Sequence, residues 1–281
     1  MTEWFLQLEL FWQAGLTGAL LAVLLPLLGL ILRLRHEYWA ALAYGQLGAA
    51  GALGALVLGY PLLLGGLALS LLTATAKHPL EKRLKGAVLY PLLFILGWSI
   101  CQLMTSNLPG VERQGAALFE GQLYFAGTEL LCGSVIALIA GIVFIRKRGR
   151  ALLLAYLYPA HFSAQGHHTW LVRAGFDLLA AAALALAVMS LGVMGAFALI
   201  FIPAWVASVL SPGWRAALIA APVLSFLAYM LAFMLALLQD QPFGPVLVFV
   251  LCLLALVLPV VSFLRKTTVA QILRKTDDET K

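Results

Sequence analysis

One feature governs what this chain can fold into. Apolar runs of about 20 residues recur from end to end, separated by short connections. Lipid offers no water to hydrogen-bond a backbone, so a run of that length crosses it as an α-helix, with every N–H paired internally. Composition closes the alternative. Of 281 residues, 63% are hydrophobic and 11% charged, whereas soluble domains carry about 25% charged residues. A soluble chain of this size still exposes about a quarter of its unfolded surface, and too few polar side chains exist here to cover it. No stretch reads as a soluble domain, and residues 265–281 form only a short polar tail. The expected fold is all-α: one polytopic transmembrane bundle of about nine helices, residues 1–281. The third run, roughly Pro61 to Ala76, is short, and a partial span there leaves eight.

The first run, about Ala14 to Leu32, is too long for a signal core. Its flank "MTEWFLQLELFWQ" is acidic and aromatic rather than basic, so it reads as a retained helix. Trp4, Phe5, Phe11 and Trp12 suit an interfacial belt.

The formal net charge is +6, and it falls in every second connection. Arg33, Arg35 and His36 follow the first run, "KHPLEKRLK" (Lys77–Lys85) the third and "RKRGR" (Arg146–Arg150) the fifth. Arg215 lies between the seventh and eighth, and Arg265 and Lys266 follow the ninth. The intervening connections are poor in Lys and Arg. Basic loops mark the cytoplasmic side, which places the N-terminus outside and the C-terminus in the cytoplasm. Charge divided among membrane-edge loops is explained by topology, and nucleic acid is not an expected partner.

On the second helix Gly45, Gly48, Gly51 and Gly54 recur every three residues among alanines. Small residues let helix backbones approach closely in lipid. They form either a packing seam or the wall of a solute path, with Tyr38, Tyr44 and Gln46 as polar handles. Ionisable groups inside the membrane are expensive and functional by default, and the sequence is sparing with them: Glu129 heads the fifth helix, and Asp177 sits four residues after Arg173, a spacing for pairing on one face. Glu129 after Thr128 also suits an N-terminal turn. Cys101, Cys132 and Cys252 have no metal-ligand spacing. No His-Glu-x-x-His motif and no Walker loop is present. Ala151 to Trp170 reads as a cytoplasmic surface segment; its His161, His167 and His168 are either solvated or metal-binding.

Three stretches together resemble the permease subunits of ATP-binding-cassette importers for zinc, manganese or iron. They are "GLILRLRHEYWAALAYGQLGAAG" (Gly29–Gly51), "YPAHFSAQGHH" (Tyr158–His168), and "MSLGVMGAFALIFIPAWVASVL" (Met189–Leu210) with "QDQPFGPVLVFVLCLLALV" (Gln239–Val257). Ile202-Pro203-Ala204 after Gly192 and Gly195 is the most specific part. "LFEGQLYFAGTEL" (Leu118–Leu130) is a weaker match. The resemblance implies a transport subunit without enzymatic activity or cofactor of its own, multi-pass in a bacterial inner membrane. Its partners would be a second copy of itself, separate ATPase subunits and an extracytoplasmic solute-binding protein. The translocation path would involve Tyr44, Gln46, Met104, Glu129, Gly192, Met194, Gly195 and Pro203. The ATPase contact would fall on Pro159, His161, Ala164 and Gly166. The chain departs from the family where it usually carries an acid and a histidine on the second helix: Ala40 and Tyr44 stand there. The acid of the coupling segment is also missing near Ala160. Zinc and manganese favour imidazole, carboxylate or thiolate, so the cargo is a metal held by other residues, one passing without a tight site, or a chelate. A secondary carrier acting alone and a non-transporting scaffold are the other classes consistent with the sequence.

Overall fold

The computed structural model describes residues 2–81, 83–84, 86–121, 123–157 and 169–258. Ten α-helices occur among them: α1 (Thr2–Leu34), α2 (Tyr38–Val57), α3 (Leu62–Glu81), α4 (Gly86–Asn107), α5 (Glu112–Glu120), α6 (Thr128–Leu157), α7 (Thr169–Leu191), α8 (Val193–Leu210), α9 (Trp214–Leu238) and α10 (Phe243–Leu258). A 3-10 turn, Leu123–Phe125, joins α5 to α6, and no strand occurs among the described residues. The all-α bundle expected from the sequence is what the chain forms.

Among the described residues, seven helices are long and apolar enough to cross a membrane: α1, α2, α4, α6, α7, α8 and α9. The third apolar run is a full helix, α3, of 20 residues, about 30 Å at 1.5 Å per residue. It looked short because its last turns carry Lys77, His78 and Glu81. The ninth run is α10. Helix α6 continues unbroken through the basic cluster to Leu157, so the surface segment expected from Ala151 begins as the end of a long helix. The rest of that segment, including Pro159, His161, Ala164 and Gly166, lies outside the described residues, as does the polar tail.

Side-chain size sorts the helices into an interior and a shell. The apolar window of α2, built of Ala and Gly, is 83% buried, whereas that of α6 is 17% buried. Helix α2 packs against α3, α4, α7 and α8, while the outer faces of α4, α6 and α9 turn residues such as Ile95, Ile136, Ile139 and Ile219 outward. The glycines of α2 serve as a seam. A Cβ on Gly51 would collide with the carbonyl of Gly65 on α3, and a Cβ on Gly65 with the carbonyl of Gly51. Gly48 lies against the Gly66 carbonyl and Ala185 of α7, in each case at 3.6 Å from where a Cβ would stand. Gly29 of α1 meets the Ile200 carbonyl of α8 in the same manner. Such contacts supply the van der Waals packing that replaces hydrophobic driving force in lipid.

The turn between α7 and α8 is Gly192 at φ +79, a left-handed conformation that favours glycine. Its Cα also faces Gly121 and the Phe119 carbonyl, with no room for a side chain. Helix α8 then runs without interruption through Pro203, which is buried.

Gly51→Leu is expected to force α2 and α3 apart and to cost at least the overpacking penalty of about 1–3 kcal/mol. Gly213→Ala, at the open N-cap of α9, should cost less than about 1 kcal/mol. Thermal unfolding followed by size-exclusion of the detergent-solubilised protein distinguishes them.

Candidate functional site

At one end of the bundle four charged side chains close into a ring. Arg35 and Glu37 lie in the turn between α1 and α2, Lys77 on α3 and Asp177 on α7. Arg35 donates to both Asp177 oxygens, at 2.8 and 3.3 Å, and its Nη2 lies 2.8 Å from Glu37 Oε2. The Lys77 ammonium donates to the same Glu37 oxygen at 2.7 Å and to Asp177 Oδ2 at 3.1 Å. Each carboxylate therefore meets both cations, and the formal charges cancel. Lys77 is 1% exposed, Arg35 4% and Asp177 0%. Burial by itself lowers the Arg35 pKa, and the Asp177 and Glu37 carboxylates reverse that and hold it above its ordinary value.

Aromatic and polar groups wall the ring. The Arg35 guanidinium lies 5.2 Å from the centre of the Phe176 ring, and Lys77 Nζ lies 5.5 Å from that of Tyr90. Tyr90 donates to Glu81, and His78 Nε2 stands 3.9 Å from Asp177. The Tyr156 hydroxyl at the end of α6 donates to the Arg35 carbonyl at 2.7 Å, and Arg173 lies over the Tyr156 ring at 5.7 Å. The sequence spacing suggested that Arg173 pairs with Asp177. Instead Asp177 pairs across the bundle with Arg35 and Lys77, because α7 turns that face toward the α1–α2 turn and α3. The sequence also gave the impression of almost no buried charge. It did so because Arg35 and Lys77 head basic stretches that read as solvated loops. One signal for Lys77 was present: it continues the buried face of α3 through Gly66, Ser70, Thr73 and Ala74, at helical spacing.

The expected path residues are divided in this structure. Tyr44 and Gln46 are buried in α2. The Ser70 hydroxyl donates to the Tyr44 carbonyl at 3.2 Å and to the Ala181 carbonyl at 2.9 Å, tying α3 to both α2 and α7. The Tyr44 phenol has no hydrogen-bond partner and lies in the field of Asp177, Arg35, Glu37 and Glu81. Gln46 Nε2 points to Cys101 Sγ on α4 at 3.7 Å. Met104, half-buried, faces Gly54. Gly192, Gly195 and Pro203 are buried on or next to α8, and Met194 is exposed. Glu129 is exposed in the first turn of α6 and lines a cavity of about 440 Å³ with Gln114, Leu118, Phe125 and Met189. That cavity is at the end of the bundle opposite the charge ring. Among the described residues no three His, Cys, Asp or Glu side chains stand close enough to share a metal ion.

A model of the ABC 3 transport family matches residues 7–262. The chain belongs to that family. It is a multi-pass integral membrane permease of the ABC importer class, as its helices and the order of its motifs led one to expect. No curated protein matches it. Its fold is similar to that of PsaBC from Streptococcus pneumoniae, solved in complex with Fab: the TM-score is 0.77 at 14% identity, over 93% of this chain and 95% of that one. It is also similar to an inward-facing metal-chelate type ABC transporter, with a TM-score of 0.68 at 16% identity over 86% of this chain and 82% of that one.

Within this ABC 3 permease the charge ring is tested by breaking and then balancing it. Asp177→Asn strands two buried cations on the single carboxylate of Glu37 and is expected to cost about 3–5 kcal/mol. Adding Lys77→Met leaves the Arg35–Glu37 pair neutral and should recover most of that loss. Thermal unfolding of the purified variants gives the comparison.

Proposed function

We propose that the chain is the permease subunit of an importer that moves a divalent metal, zinc or manganese first, or a metal chelate, into the cell. ATP hydrolysis on separate subunits would drive it. The match to the ABC 3 transport family across residues 7–262 carries this reading, and the likeness to a transporter described as metal-chelate type supports it. Two copies would form the pore in the bacterial inner membrane. A solute-binding protein would deliver cargo on the outer side, and ATPase subunits would dock at Pro159, His161, Ala164 and Gly166.

Charge distribution supports the orientation. Arg33, Arg35, Lys77, Arg83, Arg146, Lys147, Arg148, Arg150 and Arg215 gather at the ends of helices on the ring side. Glu112, Glu120, Glu129 and Asp240 lie in the opposite connections with Arg113. The ring side would face the cytoplasm. The path would run along α2, α7 and α8, past Tyr44, Gln46, Met104, Glu129, Gly192, Met194, Gly195 and Pro203. Tyr44 and Ala40 offer a poor site for a free zinc or manganese ion, so cargo would cross without a tight stop there or as a chelate. Alternating access would be a two-state rearrangement biased by nucleotide on the partner.

Deleting the gene in cells grown under chelation is expected to lower one metal, zinc or manganese first, with recovery on return of the wild-type gene. Elemental mass spectrometry across zinc, manganese, iron, copper, cobalt and nickel reads it, and an unchanged profile for all six refutes metal import. Separately, Ala164→Arg and Gly166→Arg should abolish co-purification of the ATPase. Intact association in both variants moves the docking surface elsewhere.

A further inference from the structure

We propose that the ring of Arg35, Glu37, Lys77 and Asp177 is an ion-pair exchange latch that fastens the α1–α2 turn to α3 and α7 and releases it during transport. The importer reading supplies what drives the latch, whereas the latch itself follows from the geometry of the ring.

Four alternating charges in a ring can pair in two ways without stranding any of them. In the first pairing Arg35 holds Asp177 and Lys77 holds Glu37. Both links cross between elements, so the turn is bound to α7 and to α3. In the second pairing Arg35 holds Glu37, and Lys77 holds Asp177. Now one pair lies wholly within the turn and the other joins α3 to α7. The turn is free of both helices, and no charge is left bare. All four contacts are already made here, at 2.7 to 3.1 Å, so release breaks two of them and needs no new partner. An isolated pair has no such route, because separating it leaves two unpaired charges in a buried site.

The surrounding groups fit a part that moves as a unit. Tyr156, at the end of α6, holds the turn by its backbone, through the Arg35 carbonyl. Asp177, near the start of α7, holds the same residue by its side chain. Both α6 and α7 thus grip Arg35. On the far side of the turn, α2 carries Tyr44, whose unpartnered phenol lies in the field of the ring. Among the described residues, His78 beside Asp177, Glu81 bonded to Tyr90, and Tyr156 with Arg173 over its ring also face it.

Two neutral double variants hold the ring permanently in its released pairing: Lys77→Met with Asp177→Asn, and Arg35→Met with Glu37→Gln. Trp39 and Trp170 are exposed in the first turns of α2 and α7. Replaced by cysteine, with Cys132 and Cys252 changed to serine, they take spin labels that report the distance across the latch in nanodiscs. Both doubles are expected to remain folded and to shift this distance distribution to longer values than the wild-type ring gives. Distributions identical to wild type, or doubles that unfold, overturn the proposal. In the transporter reconstituted with its ATPase, both doubles should lose at least about ten-fold in zinc or manganese uptake per ATP hydrolysed, as expected when a coupling free energy is removed. Lys77→Arg, which preserves the ring, should retain coupling. Uptake per ATP within about two-fold of wild type in either double also overturns the latch. A wild-type complex without ATP-driven uptake refutes the importer reading instead, and the spin-label comparison then decides the latch alone.

Discussion

The close approach of α2 and α3 at Gly51 and Gly65 is the contact on which the remainder of the bundle depends. Two backbones meet there carbonyl against Cα, with no side chain between them. Lipid is as apolar as the helices, so burial of apolar area gives no reward for association, and close van der Waals contact has to replace it. The consequence reaches well beyond the seam. With α3 against α2, the buried face of α3 that starts at Gly66 leads through Ser70 and Thr73 to Lys77. Ser70 bridges α2 and α7, and Lys77 arrives between Glu37 and Asp177. A wider spacing between α2 and α3 would leave the ammonium short of its carboxylates.

Much of this architecture was legible in the sequence, because the two strongest signals are local. An apolar run of sufficient length has one fold in lipid, and the alternation of basic and non-basic connections orders the runs by side. The glycine spacing on the second helix announced close packing, and the structure uses it as a seam. The family was legible in the stretch Met189–Leu210, where Gly192, Gly195 and Pro203 stand in order. The charge ring was not, because its partners are distant in sequence: Arg35 and Asp177 are 142 residues apart. Local spacing offered Arg173 as the partner of Asp177, since pairs three or four residues apart on a helix are what spacing alone displays. Amphipathic α5 went unseparated for a related reason: nine polar-rich residues in a connection carry little periodic signal.

Why a chain with so few charges should bury three of them and half-bury a fourth follows from what the seam cannot do. Close-packed Ala and Gly surfaces are smooth, with no large knobs to fix how far one helix slides along another. Buried ion pairs are weak contributors to stability, since desolvation offsets most of their attraction, but they are directional and intolerant of misplacement. In this bundle they add, at one end, to the register that Ser70 sets between α3, α2 and α7. Register from ion pairs differs from register from interdigitated side chains in one respect. Packed side chains must separate before they can repack, whereas a closed ring of alternating charges has two settings of equal formal neutrality. A permease needs both tight packing against lipid and at least two arrangements of its helices. The glycine seam meets the first requirement, and a neutral ring at the ends of the same helices is a physical means of meeting the second.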